Sequence, residues 1–352
     1  MKLPEAAVTL KDFDYELPPE LIASRPLADR AAAKLLTIDR KTGTFSHHLF
    51  RNIPDFLSPG DLLVLNDTKV IPARIFGCKR TGGKVEALLL KEEKYGQWEV
   101  LLRPGGRIKK GSVLQFGENG VRLEAEVLDD ARPDSAGRSL RFSPSAVKEM
   151  LERIGHMPLP PYINRPDTEA DKTDYQTIFA RNPGAVASPT AGLHFDAALL
   201  DALVQKGIEI VTVTLHVGYG TFQSITCEDL SLHQMFEEEF EITESAAEKI
   251  NRALSENRRI VACGTTCVRT LESAVERDGR VRPQKSKTRL FIYPPYEFKV
   301  VRGLITNFHL PKSSLLLLAA AFLGPEKLFK AYREAIRKRY RFYSYGDAMV
   351  IL

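Results

Sequence analysis

Val113-Leu114-Gln115-Phe116-Gly117-Glu118-Asn119-Gly120-Val121-Arg122-Leu123-Glu124-Ala125-Glu126-Val127-Leu128 is the stretch on which the fold of this chain turns. Apolar and polar residues alternate on either side of a Gly-Glu-Asn-Gly break. In a strand successive side chains face opposite ways, so such alternation marks an element with one buried face. Asn119-Gly120 suits a type I′ hairpin turn, because both residues tolerate positive φ. Working outward, Val85–Leu90, Trp98–Leu102 and Leu140–Phe142 repeat the pattern. Thr81-Gly82-Gly83, Pro104-Gly105-Gly106 and Arg132-Pro133-Asp134 break them apart. Short strands at this spacing predict a small antiparallel barrel or sandwich within Ile71–Phe142.

The flanks read differently. Asp196 is placed to cap a helix through about Lys206, with Leu199, Leu200 and Leu203 on one face and Gly207 ending it. A strand over Ile210–Val217 follows, with Thr212, Thr214 and His216 sharing its polar side. Ser245 and Glu248 have capping-box spacing for a helix to about Glu256. Ile260-Val261-Ala262-Cys263 is an apolar strand that passes through Gly264-Thr265-Thr266 into a helix bearing Val268, Leu271 and Val275. Pro325 opens a last helix with Leu328, Phe329, Tyr332 and Ile336. Strands alternating with helices on both sides of the β window predict a mixed α/β major domain with an inserted small all-β barrel. The expected division is residues 1–69 and 152–352 for the α/β domain and 70–151 for the barrel.

Composition narrows the function classes. The chain has 352 residues, 43% hydrophobic and 27% charged, which excludes a mainly disordered, collagenous or membrane-spanning chain. Its longest apolar run, Leu315–Gly324, is half of the roughly 20 residues that cross a bilayer. Four cysteines (Cys78, Cys227, Cys263, Cys267) make no disulfide framework, and the early acidic residues argue against a signal peptide. A cytoplasmic protein with reduced thiols is expected. Cys263 and Cys267 have no second Cys or His pair to complete a metal site, so no metal is expected.

The net charge of +5 conceals opposite poles. Residues 258–341 carry 19 Lys and Arg against 6 Asp and Glu, leaving the rest of the chain net acidic. Residues 225–248 hold eight acidic residues and no Lys or Arg, a pattern usual for a solvated face. Arg280, Arg282, Lys285, Lys287 and Arg289 begin the basic pole, and Lys330, Arg333, Arg337, Lys338, Arg339 and Arg341 end it beside Tyr340, Phe342, Tyr343 and Tyr345. Guanidinium groups for phosphates with aromatics for unstacked bases suit an RNA loop. Arg337, Lys338, Arg339, Arg341 and Tyr343 are the leading candidates for RNA contact. The alternative is a basic helix packed on its own domain.

Three loops place a histidine among small or polar residues: Ser188-Pro189-Thr190-Ala191-Gly192-Leu193-His194, His216-Val217-Gly218-Tyr219-Gly220-Thr221, and Asn307-Phe308-His309-Leu310-Pro311. Histidine exchanges protons near neutral pH, so His194, His216 and His309 are candidate acids or bases. A core histidine bonded to Thr212 or Thr214 is the plainer reading of His216. The turn at Gly264-Thr265-Thr266 offers free N–H groups at a helix start, suited to phosphate or carboxylate, or is simply a tight turn.

Taken in order, several segments form a longer series. They are Leu65-Asn66-Asp67-Thr68-Lys69-Val70-Ile71-Pro72-Ala73-Arg74, Met157–Ile163, Tyr175–Ala180, Ser188–Phe195, His216–Phe222, Gly264-Thr265-Thr266 with Arg269 and Glu272-Ser273, Asn307–Pro311 and Phe342–Ala348. From Phe13 to its end the chain resembles the S-adenosylmethionine:tRNA ribosyltransferase-isomerase family of queuosine biosynthesis. One departure is Pro295, where the family usually has Gly. The resemblance implies an α/β domain with an inserted barrel. It also implies transfer and isomerisation of the ribosyl group of S-adenosylmethionine onto 7-aminomethyl-7-deazaguanine at the tRNA wobble position. The implied products are epoxyqueuosine-tRNA, adenine and methionine. S-adenosylmethionine would be a consumed substrate, with no separate cofactor, and tRNA the partner of a monomer that binds no membrane. Asp67, His194, His216 and His309 would share the acid and base duties. Asn66, Arg74, Ser188, Thr190, Thr221, Thr265, Thr266, Arg269 and Asn307 would hold substrate, and Glu272 would offset the sulfonium charge. A non-catalytic tRNA-binding factor and a conventional methyltransferase are the rival readings.

Overall fold

The computed structural model describes residues 8–104, 108–118, 120–130, 137–218, 220 and 225–352. The turn assignments for Gly105, Gly106, Asn119 and Arg132-Pro133-Asp134, and the residues Tyr219 and Thr221, lie outside the described residues.

Among the described residues, seventeen strands and seven α-helices follow one another. Before the barrel lie β1 (Lys34–Ile38), β2 (Phe45–Leu49), β3 (Leu62–Asn66) and β4 (Thr68–Val70). The barrel is β5 (Arg74–Lys79), β6 (Lys84–Lys94), β7 (Gln97–Arg103), β8 (Val113–Phe116), β9 (Leu123–Val127) and β10 (Gly137–Ser143). Then come α1 (Val147–Ile154), α2 (Asp171–Asp174), β11 (Asn182–Ala185), α3 (Ala197–Gln205), β12 (Glu209–Leu215), β13 (Glu238–Ile242) and α4 (Glu244–Ser255). The chain ends through β14 (Ile260–Cys263), α5 (Thr265–Ala274), β15 (Gln284–Thr288), β16 (Gly303–Asn307), α6 (Ser314–Leu323), α7 (Pro325–Arg337) and β17 (Ala348–Ile351).

Nine strands make the main sheet in the order β15-β13-β12-β3-β14-β16-β17-β1-β2. Its centre is parallel: β3 pairs with both β12 and β14, and β14 with β16. Strands buried on two faces should be near-continuous apolar runs, as β14 is throughout and β3 is from Leu62 to Leu65, before Asn66 at its end. Alternation then sorts the side chains. Leu62 and Val64 pack with Ile260 and Ala262 against α4 and α5, while Leu63 and Leu65 pack with Val261 and Cys263 against Phe50, Phe195 and α3. Removing one such side chain, as in Leu63→Ala, is expected to destabilise by about 2–5 kcal/mol.

The β window closes into a six-stranded barrel, order β10-β7-β6-β5-β8-β9, and the barrel rather than the sandwich is what the spacing produced. Trp98, Val100 and Leu102 of β7 and Leu123, Ala125 and Val127 of β9 point inward. Val147, Leu151 and Ile154 on one side of α1 join the same core, at the helical spacing that puts them on one face. β5 is a strand beyond those the sequence pattern predicts, because Gly77 interrupts its apolar alternation.

Local signals held with one shift. Asp196 caps α3 by accepting from the Leu199 N–H at 2.7 Å. The helix expected from Ser245 starts earlier, because Thr243 Oγ1 accepts from the Ala246 N–H at 3.2 Å and so takes the cap position. Pro325 occupies the first turn of α7. The peptide before Pro295 is cis. Among the described residues no helix is long and apolar enough to cross a membrane.

Candidate active site at the carboxyl edge of the sheet

In open α/β sheets, ligands collect where parallel strands end and loops diverge. Here β12, β3, β14 and β16 end side by side at Leu215, Asn66, Cys263 and Asn307. Each strand delivers one of the sequence-predicted segments to the same edge.

At the β12–β3 end, Asn66 acts as a brace. Its amide donates to the Leu215 carbonyl at 3.0 Å and Thr266 Oγ1 at 3.1 Å, and its oxygen accepts from the Leu215 and Thr68 N–H groups. This ties β3 to both neighbouring loops and leaves no free group for substrate. The next residue, Asp67, is buried. Its Oδ1 accepts from Thr214 Oγ1 at 2.6 Å and from the Asn182 amide at 3.0 Å. Among the described residues no donor reaches Oδ2.

His216 stands beside it, half-buried, with Nδ1 2.8 Å from Thr68 Oγ1. Its partner is therefore Thr68, from a neighbouring strand, and not Thr212 or Thr214. The ring lies against Gly184, where an added Cβ would come within 2.9–3.0 Å of the imidazole, so only glycine leaves room there. Burial, helped by the Lys285 ammonium, pulls the His216 pKa below its ordinary value, and the nearby Glu239, Asp67 and Glu241 carboxylates oppose that pull. Glu239 in turn pairs with Lys91 of the barrel at 2.6 Å.

The β16 end holds a second constellation. Thr190 Oγ1 donates to Asn307 Oδ1 at 2.9 Å, and Asn307 Nδ2 donates to His194 Nε2 at 3.1 Å. With the amide so oriented, the imidazole proton sits on Nδ1. Burial and the Arg341 and Arg30 guanidinium charges push the His194 pKa down to about 4, so the ring is neutral at physiological pH. Between the two ends, Ala191 covers Gly264, whose φ of +90° starts α5. Thr265 and Thr266 are buried under this cover. Ser188 is buried too, with its hydroxyl unpartnered among the described residues.

Other sequence candidates lie elsewhere. His309 belongs to the core: Nε2 bonds Thr306 Oγ1 at 2.8 Å, Tyr15 donates to its carbonyl, and burial lowers its pKa to about 3. Phe308, Tyr332 and Phe342 pack around this turn. Glu272 does not face a sulfonium site, because its oxygens accept from the N–H groups of Lys299, Val300 and Val301 at 2.9–3.0 Å. Arg269 is sealed in a buried ion pair with Glu238 and donates to the Leu290 carbonyl at 3.0 Å, and Glu238 anchors the Gly218 N–H. Arg74 sits on β5, bonded to the Leu159 carbonyl at 3.0 Å and paired with Glu86 at 3.2 Å. Thr221 lies outside the described residues.

The basic pole is also rearranged. Lys285 of β15 faces Glu241 of β13 at 3.5 Å, and Lys287 and Arg289 reach Glu237, just before β13, at 2.5 and 3.4 Å. Part of the acidic run thus neutralises Lys285, Lys287 and Arg289 at the β13–β15 pairing. Arg337 forks onto Glu334 at 2.6 and 2.7 Å. Tyr343 is half-buried and packed against Tyr162, with ring centroids 4.0 Å apart. Arg341 turns inward toward His194. Lys338 and Arg339 alone of the five candidates stand exposed without an acidic partner among the described residues.

Sequence reasoning missed Arg30, Asn182 and Glu239. Arg30 carries no motif signal. Glu239 was read as one of a solvated run, and only the β12–β13 pairing shows that it overlooks His216.

Comparison with known proteins agrees with this architecture. The model of a family described as queuosine biosynthesis protein matches residues 10–351. Two proteins named S-adenosylmethionine:tRNA ribosyltransferase-isomerase, from Desulforamulus reducens and Carboxydothermus hydrogenoformans, are 49% and 50% identical to this chain. Each alignment covers 97% of this chain and 99% of the relative. The crystal structure of an S-adenosylmethionine tRNA ribosyltransferase from Thermotoga maritima is 39% identical, with a TM-score of 0.54 over 97% of this chain and all of that one.

Proposed function

The chain belongs to the queuosine biosynthesis family and is a ribosyltransferase-isomerase of that family, and on that premise we propose how its residues carry the reaction. S-adenosylmethionine supplies the ribosyl group and is consumed, with no separate cofactor. The acceptor is 7-aminomethyl-7-deazaguanine at the wobble position of tRNA, and the products are epoxyqueuosine-tRNA, adenine and methionine. A tRNA substrate places the reaction in the cytoplasm, and one chain holds all the groups invoked here, so the working unit is a monomer. We take the inserted unit as residues 70–154, because Ile154 still belongs to the barrel core.

The chemistry asks for a base and an acid. The sulfonium acidifies the adjacent ribose C5′–H, and its removal gives an ylide from which adenine is expelled. The aminomethyl nitrogen must also lose a proton before it attacks. The observation that carries the assignment is the setting of His216. Its lowered pKa keeps the ring unprotonated near neutrality, and Asp67 and Glu239 stabilise the charge once it takes a proton. His216 is therefore the general base. Asp67, whose Oδ2 is uncommitted among the described residues, faces the cationic groups of the substrates. Neutral His194, held by Asn307 and Thr190, positions substrate instead of exchanging a proton. Lys338 and Arg339 at the end of α7 contact RNA phosphates.

The test uses S-adenosylmethionine labelled in the ribose and tRNA carrying the aminomethyl base. Adenine release with label entering the RNA is expected. Salt-sensitive tRNA binding without adenine release would leave only an RNA-binding factor, and a methylated RNA would point to a methyltransferase.

A further inference from the structure

Resting on the proposed use of S-adenosylmethionine, we propose that the cleft between Arg30, Arg341 and His194 is the seat of its methionine carboxylate, with Arg341 Nη1 as the principal donor. The cleft is lined by Arg30, Leu193, His194, Arg341, Ser344 and Tyr345. Both guanidinium groups are fixed by neutral acceptors. Arg30 donates to the carbonyls of Gln176 at 2.7 Å and Thr173 at 2.8 Å, and Arg341 Nη2 donates to the carbonyl of Arg25. Carbonyl partners hold a cation in place without cancelling its charge.

Arg341 Nη1 is buried and has no partner among the described residues. A buried donor left unpaired is unfavourable, the more so on a charged group, and an anion placed there removes that penalty. The nearby carboxylates do not fill the role. Asp347 is engaged by the N–H groups of Lys34 at 2.9 Å and Arg341 at 2.7 Å. Among the described residues the two cations thus face the cleft with Asp347 already bonded to backbone N–H groups and Asp171 bonded to Arg165.

The rest of the edge supports the choice of anion. Strands are spaced about 4.8 Å apart, so three spacings, about 14 Å, separate the end of β12, next to His216, from the end of β16, where Asn307 holds His194. Carboxylates gather at the first end and guanidinium groups at the second. A substrate with a sulfonium at its centre and a carboxylate at its tip matches that polarity. An RNA backbone would ask instead for a row of exposed cations, and Pro26 and Leu27 form the lip here. Arg341, a candidate for RNA contact from sequence, is thereby reassigned to the small substrate.

The experiment compares S-adenosylmethionine with its decarboxylated analogue, in turnover on the modified tRNA and in equilibrium binding by calorimetry. Wild-type protein should prefer the carboxylate-bearing compound by roughly 10–100-fold, as for a charged hydrogen bond. Arg341→Met should bring the two compounds level, with KM for tRNA and its salt dependence unchanged. Arg30→Met should reduce the same preference and keeps the idea testable if the first variant does not fold. A variant that retains the preference overturns the proposal. So does a raised KM for tRNA with a shallower salt slope, which would return Arg341 to the RNA. Should wild-type protein release no adenine at all, the functional reading fails, while the calorimetric preference still decides the carboxylate seat.

Discussion

His216 and His194 stand at the same edge of one sheet in opposite electrical surroundings. Around His216, burial and one ammonium, Lys285, work against the three carboxylates of Glu239, Asp67 and Glu241. Around His194, burial and two guanidinium charges work together and hold the ring neutral down to about pH 4. Residue type is shared, and so is the loop chemistry, with small or glycine residues beside each ring. What separates a proton-transferring histidine from a positioning one is the sign of the charge that the neighbouring strands bring up to it.

The largest expected effect comes from removing the ring at the acidic end. His216→Ala should slow adenine release by about 10²–10⁴-fold, the range for a lost acid or base. A near-normal rate would move the base elsewhere. At the other end His194→Gln keeps a polar group for Asn307 and should lower turnover by about tenfold or less, the worth of one hydrogen bond. A loss as large as that of His216→Ala would erase the contrast between the two ends.

Acid stability sharpens the same contrast. His194 and His309 hold folded pKa values of about 4 and 3 against an ordinary 6.5. On acidification the unfolded chain takes up these protons first. Their contribution to stability is intact above pH 6.5 and falls as pH drops towards 4 and then 3. The Tm should decline over that window, and His194→Gln and His309→Gln should each make the decline shallower. An unchanged slope in both variants would mean that other groups set the acid limit. The smallest effect is expected for Glu239→Gln. Losing this carboxylate lowers the His216 pKa further, so the acidic limb of the kcat/KM profile should move to lower pH. Movement to higher pH would contradict His216 as the titrating base.

Much of the architecture was legible because it is written in local signals. Alternation and glycine turns marked the barrel, and Asp196, Gly264 and Pro325 marked helix starts. The site was legible only as a set of segments. Asn66, Asp67, His216 and Thr266 do meet, and so do Thr190, His194 and Asn307. Whether a polar side chain is free or already used depends on partners far along the chain. Glu272 meets backbone N–H groups 27–29 residues away, and Arg269 meets Glu238 31 residues away. His309 is enclosed by Tyr15 and Tyr332, which no local pattern announces. The basic pole misled for the same reason: Lys285, Lys287 and Arg289 pair with Glu241 and Glu237 of the acidic run that looked solvated, and Arg282 pairs with Glu276 and Asp278.

The β13–β15 pairing has a consequence for how the molecule behaves in a crowd. β15 is one border of the nine-stranded sheet, a row of backbone groups open to pairing with a strand from another molecule. Lys285 and Lys287 stand along it, leaning on Glu241 and Glu237 but still substantially exposed. A second copy approaching edge to edge would have to bury these ammonium groups against its own. The lysines that resembled a grip for nucleic acid thus serve as a guard rail, keeping a long sheet from growing longer.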